Sequence, residues 1–330
     1  MKAMVSGATG FIGSRIINLL LDRGWQVNAL VRERNHPLLE HPSVTVFHGN
    51  LDDDHSVSSS MINCDVVFHT AALTGFWAKD PGEFYRTNVE GTRRILRSAL
   101  EVGVPRVIHT STWATIGRQA TGAPATEESR ARLGDLPGHY RTSKFLAEEE
   151  VASFVAEGLD VVIVNPTVPI GIGDRRPTPS GSIILDFLRG RLPAYVDAQL
   201  NIIDVDNAAL GHILAWERGR TGHRYILGNW NMTLQDLLSH LSEITGIKPP
   251  RIRLPIGLLI GLAAMDNLVE GNLLGRQPFI PIEGLMHARS HTEVDCSKAI
   301  TELGLPVTPV IPSLVKAIEW FKVNGYVTRY

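Results

Sequence analysis

The sequence predicts a doubly wound α/β protein, a parallel sheet with helices on both faces, joined to a smaller, mostly helical C-terminal domain. Three observations predict it. Short Val/Ile-rich runs alternate with helical segments at intervals of about 30 residues, the spacing of βαβ units. A glycine-rich turn, "SGATGFIG", joins the first run to the first helix. Beyond Pro166 the alternation stops, and Pro/Gly-rich loops and helices take over.

Each element has its own signal. "AMVSG" reads as a buried strand, and "FIGSRIINLLLDRG" as a helix with 3.6-residue apolar spacing closed by Gly24. "QVNALV", "VTVFHG" and "DVVFHTAA" are the next strands. "EFYRTNVEGTRRILRSALEVG" is a helix ending at Gly103, and "RVIHTST" the following strand. A helix from Tyr140 to Glu157 and the strand "DVVIVNP" complete the unit. Such uniformly apolar runs suit parallel strands buried on both faces. Residues 1–170 therefore form the first domain, with 198–230 returning to it, because "LNIIDVDNAALGHILAWERG" again reads strand, turn, helix. Residues 171–197 and 231–330 form the second, substrate-binding domain.

Composition excludes several classes. With 44% hydrophobic and 20% charged residues, the chain is that of an ordinary globular protein. A net charge of -2 argues against a nucleic-acid partner. Cys64 and Cys296 fit no metal spacing, so a reducing compartment, the cytoplasm, is expected. The most apolar later stretch, "LPIGLLIGLAAM", spans 12 residues before Asp266, too short for a membrane span of about 20. His287 and His291, with Glu293 and Asp295 nearby, lack a third ligand of fixed spacing and are read as solvent-exposed; no metal is expected. Asp52, Asp53 and Asp54 read as the cap of a short helix.

Gly7, Gly10 and Gly13 lie between a strand and a helix, where they permit a tight turn and close backbone approach. A pyrophosphate can then sit on the helix N-terminus. The second strand ends in Val31 and Arg32, where an NAD site usually places an acid for the ribose 2′-hydroxyl. Arg32 can pair with a 2′-phosphate, which favours NADP(H), with NAD(H) still possible; Arg32 is otherwise a solvated loop charge. Asn50 and Leu51 end the third strand and are placed to border an adenine.

Tyr140 and Lys144 are four residues apart on one helix and so share a face. A nearby ammonium favours the phenolate and would lower the tyrosine toward working pH. Such a phenol can give a proton to a carbonyl oxygen or take one from an alcohol. Alone, the pair is equally a surface tyrosine and lysine.

Together these pieces resemble the extended short-chain dehydrogenase/reductase family, with its Rossmann fold. The matching segments are "GATGFIG", "HTAAL", "NVEGT", "HTSTWATIG", "YRTSK" and "NPTVPIG", in the family's order over about the first 170 residues. The likeness narrows to the hopanoid-associated sugar epimerase group, itself similar to dihydroflavonol 4-reductases, on "GHYRTSKFLAEEEV", "VVIVNPTVPIGIGDRRPTPSG" and "RYILGNWNMTLQDLL". The resemblance implies catalytic roles for Thr112, Tyr140 and Lys144, with Ser111 as the second choice for the hydroxyl that orients substrate. It implies cofactor contacts from Gly7, Thr9, Gly10, Phe11, Ile12, Gly13, Arg32, Asn50, Leu51, Thr70, Ala71, Ala72 and Thr110. Tyr140, Lys144, Asn165, Pro166 and Val168 complete that set. Asn50 stands where the family usually has aspartate, and a homodimer through the helices at 83–102 and at Tyr140 is implied as well.

Three functions then compete. The first is NADP(H)-dependent carbonyl reduction or alcohol oxidation with Tyr140 as general acid/base. The second is epimerisation of a sugar or nucleotide sugar, with the cofactor recycled within a turnover. The third is a non-catalytic dinucleotide-binding regulator. Sugar-nucleotide dehydratases of the family carry an Asp-Glu pair after the catalytic threonine; here Trp113 and Ala114 stand there, so dehydration is disfavoured. Intact Thr112, Tyr140 and Lys144 disfavour the regulator. Arg175 and Arg176 in the loop "GDRRPTPSGS" can hold a phosphate or be solvated. The apolar C-terminal segments can line a pocket for an aromatic or isoprenoid-like substrate, or simply pack within their own domain.

Overall fold

The computed structural model describes residues 1–33, 36–119, 121–129, 131–279, 281–290 and 293–327. Strands β1 (Lys2–Ser6), β2 (Gln26–Val31), β3 (Val44–His48), β4 (Val66–His69), β5 (Val107–Thr110) and β6 (Val161–Pro166) lie in one parallel sheet. Strands β7 (Val168–Ile170), β8 (Ala194–Tyr195) and β9 (Gln199–Asp204) follow, then β10 (Arg224–Leu227), β11 (Trp230–Thr233) and β12 (Ile252–Arg253). The large sheet has seven strands in the order β10-β6-β5-β4-β1-β2-β3. The order reverses between β1 and β4, and that reversal opens a crevice at the carboxyl ends of the strands.

Two apolar layers hold the sheet. Successive side chains on a strand point to opposite faces. Val5, Phe68, Ile108 and Val164 therefore meet helices α1 (Phe11–Asp22) and α7 (Val205–Arg218) on one side. Met4, Val67, Val107 and Ile163 face α2 (Asp54–Met61), α4 (Gly91–Val102) and α5 (His139–Ala156) on the other. Helix α4 continues from the short α3 (Gly82–Tyr85) through a π-turn over Arg86–Glu90. Asp53 caps α2 through its carboxylate, as the acidic run predicts. Trp25 and Trp216 pack edge to face, ring centroids 4.9 Å apart, beside the α1–α7 layer.

The sequence pattern sends residues 198–230 back to the large sheet. In the structure, α7 and β10 do join it, but β9 pairs with β7 and β11 in a separate three-stranded sheet. Local alternation marks a strand without stating which edge receives it. That small sheet, with α6 (Pro179–Leu188), α8 (Leu234–Thr245) and α11 (Val310–Val323), encloses a third core around Ile184, Leu238 and Phe321. Helices α9 (Ile256–Asp266) and α10 (Ile282–Ser290) complete the C-terminal region. No described helix is long and apolar enough to cross a membrane.

Phe68 is 0% exposed on the central strand β4. Phe68→Ala should cost about 3–5 kcal/mol in urea unfolding through transfer loss and cavity formation. Val323→Ala, at a side chain 86% exposed, should stay within about 0.5 kcal/mol. Equal midpoints for the two variants would contradict this assignment of the core.

Candidate active site

A cleft of about 1230 Å³ opens over the carboxyl ends of β1, β2, β4, β5 and β6. Its floor at β1 is the glycine turn. Gly7 takes φ +70°, and a Cβ there would stand 2.7 Å from the Ala71 amide nitrogen. A Cβ on Gly13 would collide with the Gly7 carbonyl and stand 2.8 Å from Thr70 Oγ1. The turn is closed by the Gly10 amide donating to the Gly7 carbonyl at 2.8 Å. Gly10 offers no side-chain cap to α1, so the amides of its first turn remain available to an anion.

The structure brings nearly all the sequence-identified residues to this cleft. Thr9, Phe11, Ile12, Arg32, Asn50, Leu51, Thr70, Ala71, Ala72, Thr110, Ser111, Thr112, Tyr140, Lys144, Pro166 and Val168 line it with the three glycines. Asn165 is the exception. It is 0% exposed, and its Nδ2 donates to the Thr112 carbonyl at 3.0 Å and to Glu148 Oε1 at 2.9 Å. Asn165 therefore sits behind the cleft wall and braces it. Asn50 Oδ1 accepts from the Asp52 amide at 2.7 Å, so its oxygen is committed to a local turn. His291 lies outside the described residues.

Lys144 is 2% exposed, and its Nζ donates to the Thr110 carbonyl at 2.6 Å. Burial pushes this ammonium down to about 8, while the nearby Glu148 carboxylate opposes the fall. Tyr140 lies one helical turn earlier, with Phe84 edge-on at 6.4 Å between ring centroids. Burial pushes the Tyr140 phenol up, and a hydrogen bond with Thr112 pulls it down. The expectation that Lys144 lowers the phenol is corrected: the ammonium is turned to Thr110, and burial dominates. A phenol raised this way stays protonated at neutral pH, ready to donate.

The two hydroxyl candidates separate cleanly. Ser111 donates its hydroxyl to the buried Glu148 carboxylate, whereas Thr112 is bonded to Tyr140. Glu148 escapes the sequence argument, although Tyr140, Lys144 and Glu148 at i, i+4 and i+8 share one helix face. It also accepts from Thr115 Oγ1 at 2.7 Å and pairs with Arg224 at 3.4 Å. Nothing local signals those partners, because they come from β6, β10 and the loop after β5.

At the cleft's other end, Val31, Arg32, Glu33, His36 and Arg175 gather around the end of β2. Arg176 pairs with Glu33 at 2.8 Å, so the loop at 173–178 crosses to β2. Its shape rests on Asp174, a 2% exposed carboxylate that accepts from the Thr178 amide at 3.0 Å and hydroxyl at 2.7 Å. Burial pushes Asp174 up to about 6.

A model of the NAD-dependent epimerase/dehydratase family matches residues 3–228. The chain belongs to that family. It is 42% identical to a Synechocystis sp. protein named as a candidate dihydroflavonol 4-reductase, covering 98% of this chain and 95% of that one. It is 31% identical to sterol demethylase protein B of Methylococcus capsulatus, covering 99% and 100%. The solved structure of gox2253 superposes with a TM-score of 0.87 at 36% identity, covering 99% of each chain. With the fold and these relatives, the chain is an oxidoreductase- or epimerase-like enzyme of the extended short-chain dehydrogenase/reductase type.

The Glu148 charge favours the ammonium form of Lys144. Glu148→Gln removes that charge, so Lys144 should lose its proton at lower pH than the present value of about 8. The alkaline fall in turnover should then begin at lower pH, with Glu148→Asp restoring most of the original profile. An unchanged profile in Glu148→Gln would rule out the coupling.

Proposed function

We propose that the enzyme is an NADP(H)-dependent reductase of a carbonyl compound, or in reverse an oxidant of the alcohol. The observation that carries this reading is the Tyr140–Thr112 hydroxyl pair facing the cleft above the buried Lys144 ammonium. The glycine cradle fits a dinucleotide, since any side chain at Gly7 or Gly13 would strike backbone. When bound, the nicotinamide supplies or accepts the hydride.

The protein's own residues do the rest. Thr112 holds the substrate oxygen by a hydrogen bond, and Tyr140 gives it a proton as its negative charge develops. Lys144, one turn along the same helix and anchored to the Thr110 carbonyl, keeps a positive charge in the wall of the cleft. Trp113 and Ala114, both buried, leave no acid–base pair beside Thr112 to eliminate water.

Arg32, exposed at the end of β2, with Arg175 beside the same pocket, supports a preference for a 2′-phosphate over a bare ribose. Phe76, Ile183, Leu200 and Leu234 give the cleft an apolar share of its lining, beside the polar Ser180 and Gln199. Arg176 is engaged with Glu33 at the β2 end, so it is not offered to a sugar nucleotide's phosphates. These features favour an apolar carbonyl substrate. The family's name keeps sugar epimerisation as the second reading, with the same Tyr140 and a retained cofactor.

Purified protein should therefore carry little dinucleotide and should consume NADPH with some apolar ketone or aldehyde. Tyr140→Phe should reduce that turnover by at least about 100-fold while cofactor affinity changes little. Stoichiometric bound NAD, inversion of a sugar and no net NADPH loss would overturn the reductase reading. Arg32→Ala should narrow the preference for NADPH over NADH by about tenfold, the worth of a charge-assisted hydrogen bond. Equal affinities in the unmutated protein would remove the basis for that preference.

A further inference from the structure

Exposed large apolar side chains are concentrated in the segment from β12 to α10. "LPIGLLIGLAAM" is the most apolar run of the C-terminal region, yet the fold does not bury it. Leu258 is 57% exposed, Leu262 50% and Met265 69%. The helix runs on through a π-stretch over Asn267–Leu273, where Val269 is 46% and Leu273 73% exposed. Leu258, Leu262, Met265 and Val269 fall at i, i+4, i+7 and i+11, which is one stripe along one face. Ala263, on the side turned toward the protein, is 0% exposed. The stripe is therefore an outward face of a seated helix. Exposed apolar patches of this kind mark binding surfaces.

Charge at the two ends says what the face meets. Arg251 stands exposed just before α9, next to Arg253, which is exposed and paired with Asp197. Arg276 stands exposed just after the π-stretch, and the Lys79 side chain reaches to 3.9 Å from the Cβ position of Gly275. Between residues 248 and 290, Lys and Arg exceed Asp and Glu by two, in a chain whose net charge is -2. An apolar stripe about three turns long with cations at both ends has the make-up of a helix lying in a bilayer surface. The apolar residues enter the acyl boundary and the cations meet anionic headgroups. The run is too short to span, and no described helix spans.

The position of the face gives it a use. A Cβ at Gly284 of α10 would stand 3.1 Å from Phe76, and Gly271 packs against Trp77 and Pro278. Phe76 and Gly284 also line the cleft. Glu283 accepts from the His139 amide at 3.1 Å, at the start of the helix that bears Tyr140. The exposed face and the mouth of the cleft thus belong to one packed unit.

We propose that the face formed by α9 and the following π-stretch docks the enzyme on an anionic phospholipid surface, with the cleft mouth beside the bilayer. The docking holds whichever reaction the cleft performs. A second copy of the chain is the competing occupant.

Co-sedimentation of the full chain with vesicles of phosphatidylcholine and phosphatidylglycerol at 7:3 tests the proposal. The protein should pellet with these vesicles, less with pure phosphatidylcholine, and less at about 0.5 M salt. Leu258→Ser, Leu262→Ser and Met265→Ser combined should weaken binding at least about tenfold, with the thermal midpoint and dinucleotide affinity unchanged. Arg251→Glu with Arg276→Glu, which leaves the stripe intact, should abolish the preference for anionic vesicles. No sedimentation of the unmutated protein, or equal sedimentation of the apolar variant, would overturn the proposal. A solution dimer that the apolar variant converts to monomer, without vesicle binding, would assign the face to a second copy instead.

Discussion

The arrangement of the site depends on one buried charge. Lys144 is almost fully enclosed, and a bare ammonium in such surroundings loses its proton. Two groups hold it: the Thr110 carbonyl at the end of β5 and the Glu148 carboxylate one turn along α5. Glu148 in turn is fixed by Ser111, Thr115, Asn165 and Arg224. Three strand ends and one helix are thereby tied together beneath the cleft. Removing any one of these partners would leave a buried polar group to carry the cost of desolvation. With Ser111 committed to Glu148, Thr112 is the hydroxyl that meets Tyr140.

The sheet supplies the rigid frame for that network. Alternate side chains of β1, β4, β5 and β6 fill two apolar layers, so the strand ends cannot slide relative to one another without exposing core. The reversal of strand order between β1 and β4 leaves the crevice in which the glycine turn approaches Thr70 and Ala71 within contact distance. Backbone closeness at one end and buried charge at the other define a single elongated cleft. The loop at 173–178, shaped by Asp174, reaches across its β2 end to Glu33.

The second region follows a different economy. Its three-stranded sheet and α6, α8 and α11 make a compact core, while α9 keeps its apolar side outward. Apolar composition predicts a buried or interfacial helix here, and within this chain the outward side of α9 is not buried. The burial it lacks is what a bilayer surface would provide.

The sequence by itself determined the local elements and the chemistry they carry. Its periodicities mark β1 to β6 and their helices, because period 2 and period 3.6 are properties of a single segment. Its glycine spacing marks the turn at Gly7 to Gly13, and its i, i+4 spacing places Tyr140 and Lys144 on one face. The tertiary structure alone decided the partners. It committed Ser111 to Glu148 and turned Asn165 behind the wall. It set burial above the Lys144 charge in tuning Tyr140, and it moved β9 to a separate sheet. The exposure of α9 belongs to the same group. Each of these depends on groups tens to more than a hundred residues apart, brought together by packing, and no local pattern records which distant surface a side chain will meet.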